Sequence, residues 1–371
     1  MPHRYEIRGA GPADEEQLYE VARHLNTVNL PADRSEIRGL LEHSRQSFTG
    51  AISDPRKREY VFVVSDRERD RIVGTSMIIA QLGRRDAPYI YVDVFDEERY
   101  SATLDKHFGH VVLKIGYSYS GPTELGGLIV DPEYRKKPER LGLLISYVRF
   151  LYIKMHRELF RDDLLAELLP PLEPDGTSHL WNAVGRKFTE MTYPEADRLS
   201  KKNKEFVKGL FPEGPIYATL LPEDAQAVIG KVGAQTRGVE RMLRRIGFHY
   251  AFRVDPFDGG PHFTARTDDV ALVARSHRAK IVSLAGPAQA EAPHARALHA
   301  EAAHAGHVEV PRTRAILAVE SHEAPFFRAM LAPWRAMAGG DDGENGACVG
   351  AAAAAFLGVA PGDSVWVLPI E

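Results

Sequence analysis

The stretch Glu124 to Phe160, ELGGLIVDPEYRKKPERLGLLISYVRFLYIKMHRELF, constrains this chain more than any other. Leu125 to Val130 is a short apolar run suited to a strand. Asp131-Pro132 ends it as a turn. A cationic cluster follows, made of Arg135, Lys136, Lys137 and Arg140. From Gly142 the period changes. Leu143, Leu144, Val148, Leu151, Met155 and Leu159 recur at helical spacing and predict a helix with one apolar face.

Strand, basic loop and helix start together make an anion site. The first N–H groups of a helix lack internal partners, and its dipole favours negative charge there. Arg and Lys beside them suit a phosphate. Gly126-Gly127 inside the strand permits a bulge or a close backbone approach by a ligand. The expected ligand is a polyphosphate across the loop with a tail along the strand edge. Its candidate contacts are Leu128, Ile129 and Val130 on the strand, then Arg135, Lys136, Lys137, Arg140 and Gly142. The same cations also read as a solvated turn before an amphipathic helix. With one glycine in the loop, no dinucleotide or P-loop fingerprint is present.

Composition narrows the class. With 371 residues there is room for two domains. A formal net charge of −4 gives no bulk attraction to nucleic acid. The single cysteine, Cys348, excludes an internal disulfide and fits a reducing compartment. No apolar run approaches the roughly 20 residues of a membrane span. The first residues, MPHRYEIRGAGPADEEQ, hold no apolar signal core. A cytoplasmic protein is expected.

Taken in order, Tyr5 to Arg8 reads as a strand, and helices follow from Pro12 and over Arg34 to Thr49. Asn26 to Leu30 is a connector or a place to hold an acceptor substrate. Tyr60 to Val64 and Ile72 to Gln81 form a hairpin buried on both faces. Tyr89 to Val94 and Val112 to Ser120 are extended, with Tyr100 to Val111 irregular between them. Asp163 to Leu168 is a strand and Ser178 to Phe188 a helix. Tyr193 to Lys208 is a polar bridge to a second half. There, Ile216 to Leu220 and Phe248 to Val254 are strands, Pro222 to Ile229 and Thr236 to Ile246 are helices, and Pro256 to Pro261 is a tight turn. Ser283 to Gly306, rich in Ala, reads as a linker. Of its histidines and the next, His294, His299, His304 and His307, only the last two share a helix face. A solvated segment rather than a metal site is expected. Arg314 to Val319, Phe327 to Leu331 and Ser364 to Leu368 make a small β appendage.

The same residues carry a family resemblance. YVFVV from Tyr60, TELGGLIVDPEYRK from Thr123, LWNAVGRKF from Leu180, PIYATLLPEDAQAVIGKV from Pro215 and FDGGP from Phe257 resemble, in this order, the arginine N-succinyltransferases. These lie within the GNAT acyltransferases, whose coenzyme A loop the basic segment is similar to. The likeness covers roughly residues 4–270, and the C-terminus faintly. It implies an α+β, tandem GNAT-like fold of mixed sheets flanked by helices, plus the β appendage. The expected division is 1–192, an N-terminal GNAT-like domain; 193–282, a second GNAT-like half; and 283–371, linker and appendage. The implied reaction moves a succinyl group from succinyl-CoA, a co-substrate and not a resident cofactor, to the α-amine of arginine. Ornithine or another amine, or a silent acyl-CoA-binding protein, are the alternatives. Homo-oligomers are implied as well; no metal, membrane or nucleic acid is.

Acyl transfer to an amine needs an anchored donor, a base for the amine proton, N–H groups for the oxyanion and a proton for the thiolate. Glu124, at the start of the central strand, is the expected base; a salt-bridged strand end is its other reading. Glu167, in an apolar run, has the raised pKa of a proton carrier if buried, or else is a structural acceptor. Asp255 and Asp258 are candidates for a guanidinium, although Asp258 before Gly259-Gly260 also fits a turn. The family's His ahead of Gln-Thr, its implied proton donor, is replaced here by Gly233. Either that His is dispensable, or His249, His262 or a Tyr takes over, or the reaction differs. Of these, His262 is carried forward as a catalytic candidate. The loop, Lys137 to Gly142, is longer than the family's and has fewer glycines.

Overall fold

A computed structural model describes residues 4–23, 30–84, 87–173, 175–200, 203–286, 313–338 and 345–370. The apolar runs Glu59–Asp66 (β2) and Arg71–Ile79 (β3) pair as the expected hairpin and are buried on both faces. A strand so covered lies inside a layered sheet. Helices Glu15–Ala22 (α1) and Arg34–Phe48 (α2) cover one face, packing Leu18, Ile37 and Leu41 against Val61, Val63 and Ile129. Helix Leu141–Met155 (α3) covers the other with Leu144, Val148 and Leu151.

This hairpin belongs to a mixed sheet. Tyr5–Gly9 (β1) flanks β2, and Thr123–Val130 (β6) flanks β3. Asp163–Glu167 (β7) runs parallel to β6. Beyond it come Pro261–Arg266 (β10), His249–Val254 (β9), Tyr89–Ser101 (β4), Lys106–Ser118 (β5) and the two-residue Ile216–Tyr217 (β8). Strands β9 and β10, from residues 193–282, therefore complete the sheet of the first 192 residues. On the other side, Phe327–Met337 (β13) pairs with β1. It closes a ring with Thr313–Glu320 (β12), Ser364–Ile370 (β15), His277–Ala285 (β11) and Asn345–Gly350 (β14). The ring has a core of its own, with Ile281, Leu317, Trp334 and Val349. The expected appendage is thus a closed barrel-like ring that also recruits residues 277–285 and 345–350.

Four local expectations are corrected. Tyr100 to Val111 is not irregular: β4 and β5 pair continuously to Ser101 and Lys106. Most of their outer residues are exposed on both faces, so no apolar alternation marks them. Ser178 to Phe188 breaks at Val184, whose backbone leaves the helical region, into His179–Ala183 and Gly185–Thr189. The Tyr193 to Lys208 bridge contains helices Tyr193–Ser200 and Glu205–Leu210. Helix α3 starts at Leu141 and is buried on nearly every side, because β2, β3 and the C-terminal strands surround it; Leu159 lies beyond its end. His294, His299, His304 and His307, and all of the Asn26 to Leu30 loop except Leu30, lie outside the described residues.

Candidate active site

Strands β6 and β7 pair only at Thr123 with Leu164 and at Glu124 with Leu165. Past that point they part, and the β7-facing edge of β6 has no strand partner. The parting begins where β6 is irregular. Thr75 of β3 faces Ile129 while Met77 faces Gly126, so β6 carries one extra residue. Gly127 absorbs it with a φ of 57°, and a Cβ there would come within 2.7 Å of Met77. The bulge expected at Gly126-Gly127 is present.

At the far end of β6 the chain makes a short turn held by the Asp131 carboxylate on the Glu133 N–H. Arg135, Lys136, Lys137 and Arg140 are exposed there, and among the described residues none is paired with a carboxylate. Arg135 donates to the Val130 carbonyl at 2.8 Å, which ties the loop to the strand end. Arg140 is the N-cap of α3, in the left-handed region. Six residues of strand, about 20 Å at ~3.3 Å each, separate these cations from Glu124. Of the strand residues, Leu128 lines the cleft, whereas the side chains of Ile129 and Val130 are built into the cores on either face and the Val130 carbonyl is taken by Arg135.

The cleft between β6 and β7 is a cavity of ≈ 170 Å³, capped by the Arg237–Arg245 helix through Val239 and Leu243. A second cavity of ≈ 340 Å³ opens on the other side, toward α2 and β4. The two share four carboxylates: Glu124, Glu167, Asp197 and Asp255. Each comes from a different element. Glu124 starts β6, Glu167 ends β7, Asp197 lies on the Tyr193–Ser200 helix and Asp255 follows β9. Asp258 joins them from the first cavity, while Arg84 and Lys204 line the second.

Crowding sets the protonation of this cluster. Glu167 keeps 33% of its side chain exposed to the cleft, yet desolvation at the cleft wall, then the Glu124 and Asp255 charges, push it above the usual carboxylate range. Burial, then Asp255, does the same to Asp258. Asp255 is raised by burial, against the opposing pull of the Phe257 N–H on its Oδ1 at 2.7 Å. Asp258 accepts from the Gly260 N–H at 2.7 Å, so both aspartates also build the tight turn expected at 256–261. Tyr193 donates to Asp258 across 3.4 Å.

His262 is fully buried and lines neither cavity. It sits opposite Glu167 in the β7–β10 register. Its Nδ1 is hydrogen-bonded to the Tyr89 hydroxyl across 2.9 Å, and its Nε2 lies 3.3 Å from Glu167 Oε1, off the hydrogen-bonding line. Burial lowers it to about 3, so the imidazole is neutral at physiological pH. Burial raises Tyr89, which keeps its proton. His249 is exposed on β9 and takes no part. Gly233 has no room for a side chain as the backbone stands: its N–H donates to the Leu169 carbonyl, and a Cβ would lie 2.5 Å from the Pro170 oxygen. Ligand atoms of Glu167, Asp255 and His262 lie within 4.8 Å of one another, close enough to surround a cation; a guanidinium or ammonium presents the same charge.

Sequence reasoning named Glu124, Glu167, Asp255 and Asp258, which do come together. It missed Asp197 and Tyr193, because a short polar helix carries no pattern pointing inward. It missed Tyr89 and Arg149 too. For Arg149 the signal was available: one arginine inside LGLLISYVRFLYIKM, a helix otherwise apolar through its centre.

With a bulged strand that parts from its parallel neighbour and a cation-rich helix start at its far end, this chain is an acyltransferase, as its relatives are. The family model described as "Arginine N-succinyltransferase beta subunit" matches residues 5–272. An arginine N-succinyltransferase of Yersinia pestis is 32% identical over 279 residues, 74% of this chain and 79% of that one. The arginine N-succinyltransferase subunit beta of Pseudomonas aeruginosa is 33% identical over 273 residues, 73% and 79% of the two chains. The solved arginine/ornithine succinyltransferase subunit AI from Pseudomonas aeruginosa superimposes with a TM-score of 0.77 at 26% identity, covering 100% of this chain and 99% of that one. This chain belongs to the arginine N-succinyltransferase beta subunit family. Among the described residues no helix is long and apolar enough to cross a membrane.

Proposed function

We propose that this protein moves the succinyl group of succinyl-CoA to the α-amine of L-arginine, giving N2-succinylarginine and free CoA, a step of arginine breakdown. One observation carries the reading: two cavities meet at Glu124, Glu167, Asp197 and Asp255, one reaching the bulge of β6, the other lined by Arg84 and Lys204. The donor lies along the open edge of β6 with its phosphates at Arg135 to Arg140. The acceptor enters from the second side. Its guanidinium suits the carboxylates, and its own carboxylate suits Arg84 and Lys204.

In the reaction the amine nitrogen attacks the thioester carbon, the new C–N bond forms and the C–S bond breaks. Glu124 takes the amine proton, directly or through one water. Backbone N–H groups at the bulge hold the oxyanion. Glu167, which lines both cavities and which its surroundings keep protonated, gives the thiolate its proton, which makes the missing side chain at Gly233 dispensable. His262 acts as a positioning residue that holds Tyr89 and faces Glu167. The protein works within a larger assembly; two relatives named as subunits support this.

The test is thiol release from succinyl-CoA with L-arginine, run beside ornithine because the solved relative is an arginine/ornithine succinyltransferase subunit. Release that depends on arginine is expected. Glu124→Gln should lower kcat by about 10²- to 10⁴-fold. Arg140→Ala should raise KM for succinyl-CoA with kcat little changed. Thermal stabilisation by succinyl-CoA without turnover on any basic amino acid would replace the enzyme with a binding protein.

A further inference from the structure

The acids at the meeting point explain a cationic acceptor and leave the donor's own anion unexplained. A succinyl chain ends in a carboxylate, and five carboxylates line the cavity it enters. Among the described residues lining that cavity, Arg149 is the one cation. It lies on α3, between Val148 and Phe150, and keeps 2% of its surface exposed.

Its partners are all neutral. Nε donates to the Ser146 carbonyl at 3.1 Å, Nη2 to Ser146 Oγ at 2.7 Å and Nη1 to the Gly126 carbonyl at 3.3 Å. Among the described residues no carboxylate pairs with it, although a guanidinium offers five N–H donors in a planar fork. A buried charge without a counter-charge is costly unless something arrives to pair with it. Burial alone lowers this guanidinium to about 9, so it is still charged at neutral pH and no neighbouring acid offsets it. Its contact with Gly126 places it at the bulge, beside Leu125, Gly127 and Leu128 of the same cavity.

We infer that Arg149 is the subsite for the distal carboxylate of the acyl group, so that the protein selects acyl-CoA donors whose chain ends in an anion. This rests on the acyl-CoA reading of the cleft and adds to it the residue that selects the donor. The free carboxylate pairs with the guanidinium fork and supplies the missing counter-charge. The chain also turns away from the Glu124 carboxylate, where like charge would repel it. An uncharged chain of the same length gains nothing from Arg149 and leaves the buried cation unpaired, which is a strong basis for rejection.

The probes are succinyl-CoA and butyryl-CoA, which differ by a carboxylate in place of a methyl, with free CoA as reference. In the wild-type protein the thermal midpoint should rise well above the free-CoA value with succinyl-CoA and stay near it with butyryl-CoA. With L-arginine as acceptor, kcat/KM should favour succinyl-CoA. Arg149→Met should cut that preference by about a hundredfold, and Arg149→Lys should restore part of it. Equal stabilisation of the wild-type protein by both esters overturns the assignment, whatever the variants do. So does an Arg149→Met protein that folds and keeps the preference, since a purely structural tie to Gly126 would slow both donors alike. If no CoA ester stabilises the wild-type protein, the acyl-CoA reading of the cleft falls, and the Arg149 subsite with it. Binding with selectivity but no turnover leaves the subsite standing and changes only the acceptor.

Discussion

At the residue scale, His262 and the carboxylates around it pull the pH dependence of stability in opposite directions. His262 falls from the ordinary value near 6.5 to about 3 on folding. Below pH ~6.5 the unfolded chain takes up a proton that the native imidazole refuses, so stability is lost as pH falls from there toward 3. The slope reaches at most about 1.4 kcal/mol per pH unit. Glu167, Asp255 and Asp258 are raised instead. Above the usual carboxylate range the native state holds protons that the unfolded chain has released, so stability falls as pH rises through their elevated values. Denaturant unfolding between pH 4 and 9 should therefore show both limbs. His262→Gln should flatten the acid limb and Glu167→Gln the alkaline one. L-Arginine, which supplies positive charge to the ionised cluster, should stabilise the protein more as pH rises. If its effect is the same at pH 5 and pH 8, the cluster does not meet the guanidinium.

At the element scale, β6 and α3 show how far the sequence reaches. Glycines at 126 and 127 announced a bulge, since backbone there must adopt what a side chain forbids, and the switch from run to helical spacing announced α3. The partners of β6 were not legible. Which strand lies beside which depends on contacts distant in the chain: Thr123 meets Leu164, Val130 meets Gly74, and β10 reaches β7 from position 261. The outer half of the β4–β5 hairpin escaped for another reason: with little buried face, it has no pattern to read. Gly127 and Gly142 make a paired test of the bulge. Gly127→Ala puts a Cβ in the left-handed region and against Met77, and should cost about 1–3 kcal/mol. It should also lower kcat beyond what instability explains, because the N–H groups of the bulge move. Gly142→Ala meets nothing nearer than Val130 at 3.6 Å, and in a first helical turn it should be neutral or stabilise by up to about 1 kcal/mol. Urea midpoints and steady-state rates for the two variants check both. Equal loss at both glycines would argue against a special role for the bulge.

At the scale of the whole molecule, the two ends of the sheet are finished differently. One end closes on itself through β12 and β13 and so presents no free edge there. The other runs out through the long β4–β5 hairpin to a two-residue strand. That hairpin exposes Phe95, Tyr100, Leu104, Phe108 and Val111. The register puts Phe95 and Phe108 on one face and Tyr100 and Val111 on the other, because Arg99 faces Phe108 and Asp96 faces Val111. A ribbon apolar on both faces gains most when a neighbour grips it from both sides, and a run of exposed aromatics on an otherwise charged surface marks such an interface. The expected neighbour is a second copy, so light scattering on the purified chain should give a multiple of 41.3 kDa. Phe108→Asp with Leu104→Asp should shift the mass toward one chain. The thermal midpoint should then depend less on protein concentration, while succinyl-CoA still stabilises the separated chain, since neither residue lines the cleft. A single-chain mass for the unaltered protein would mean the hairpin meets a different subunit or none, and the exposed aromatics would then need another explanation.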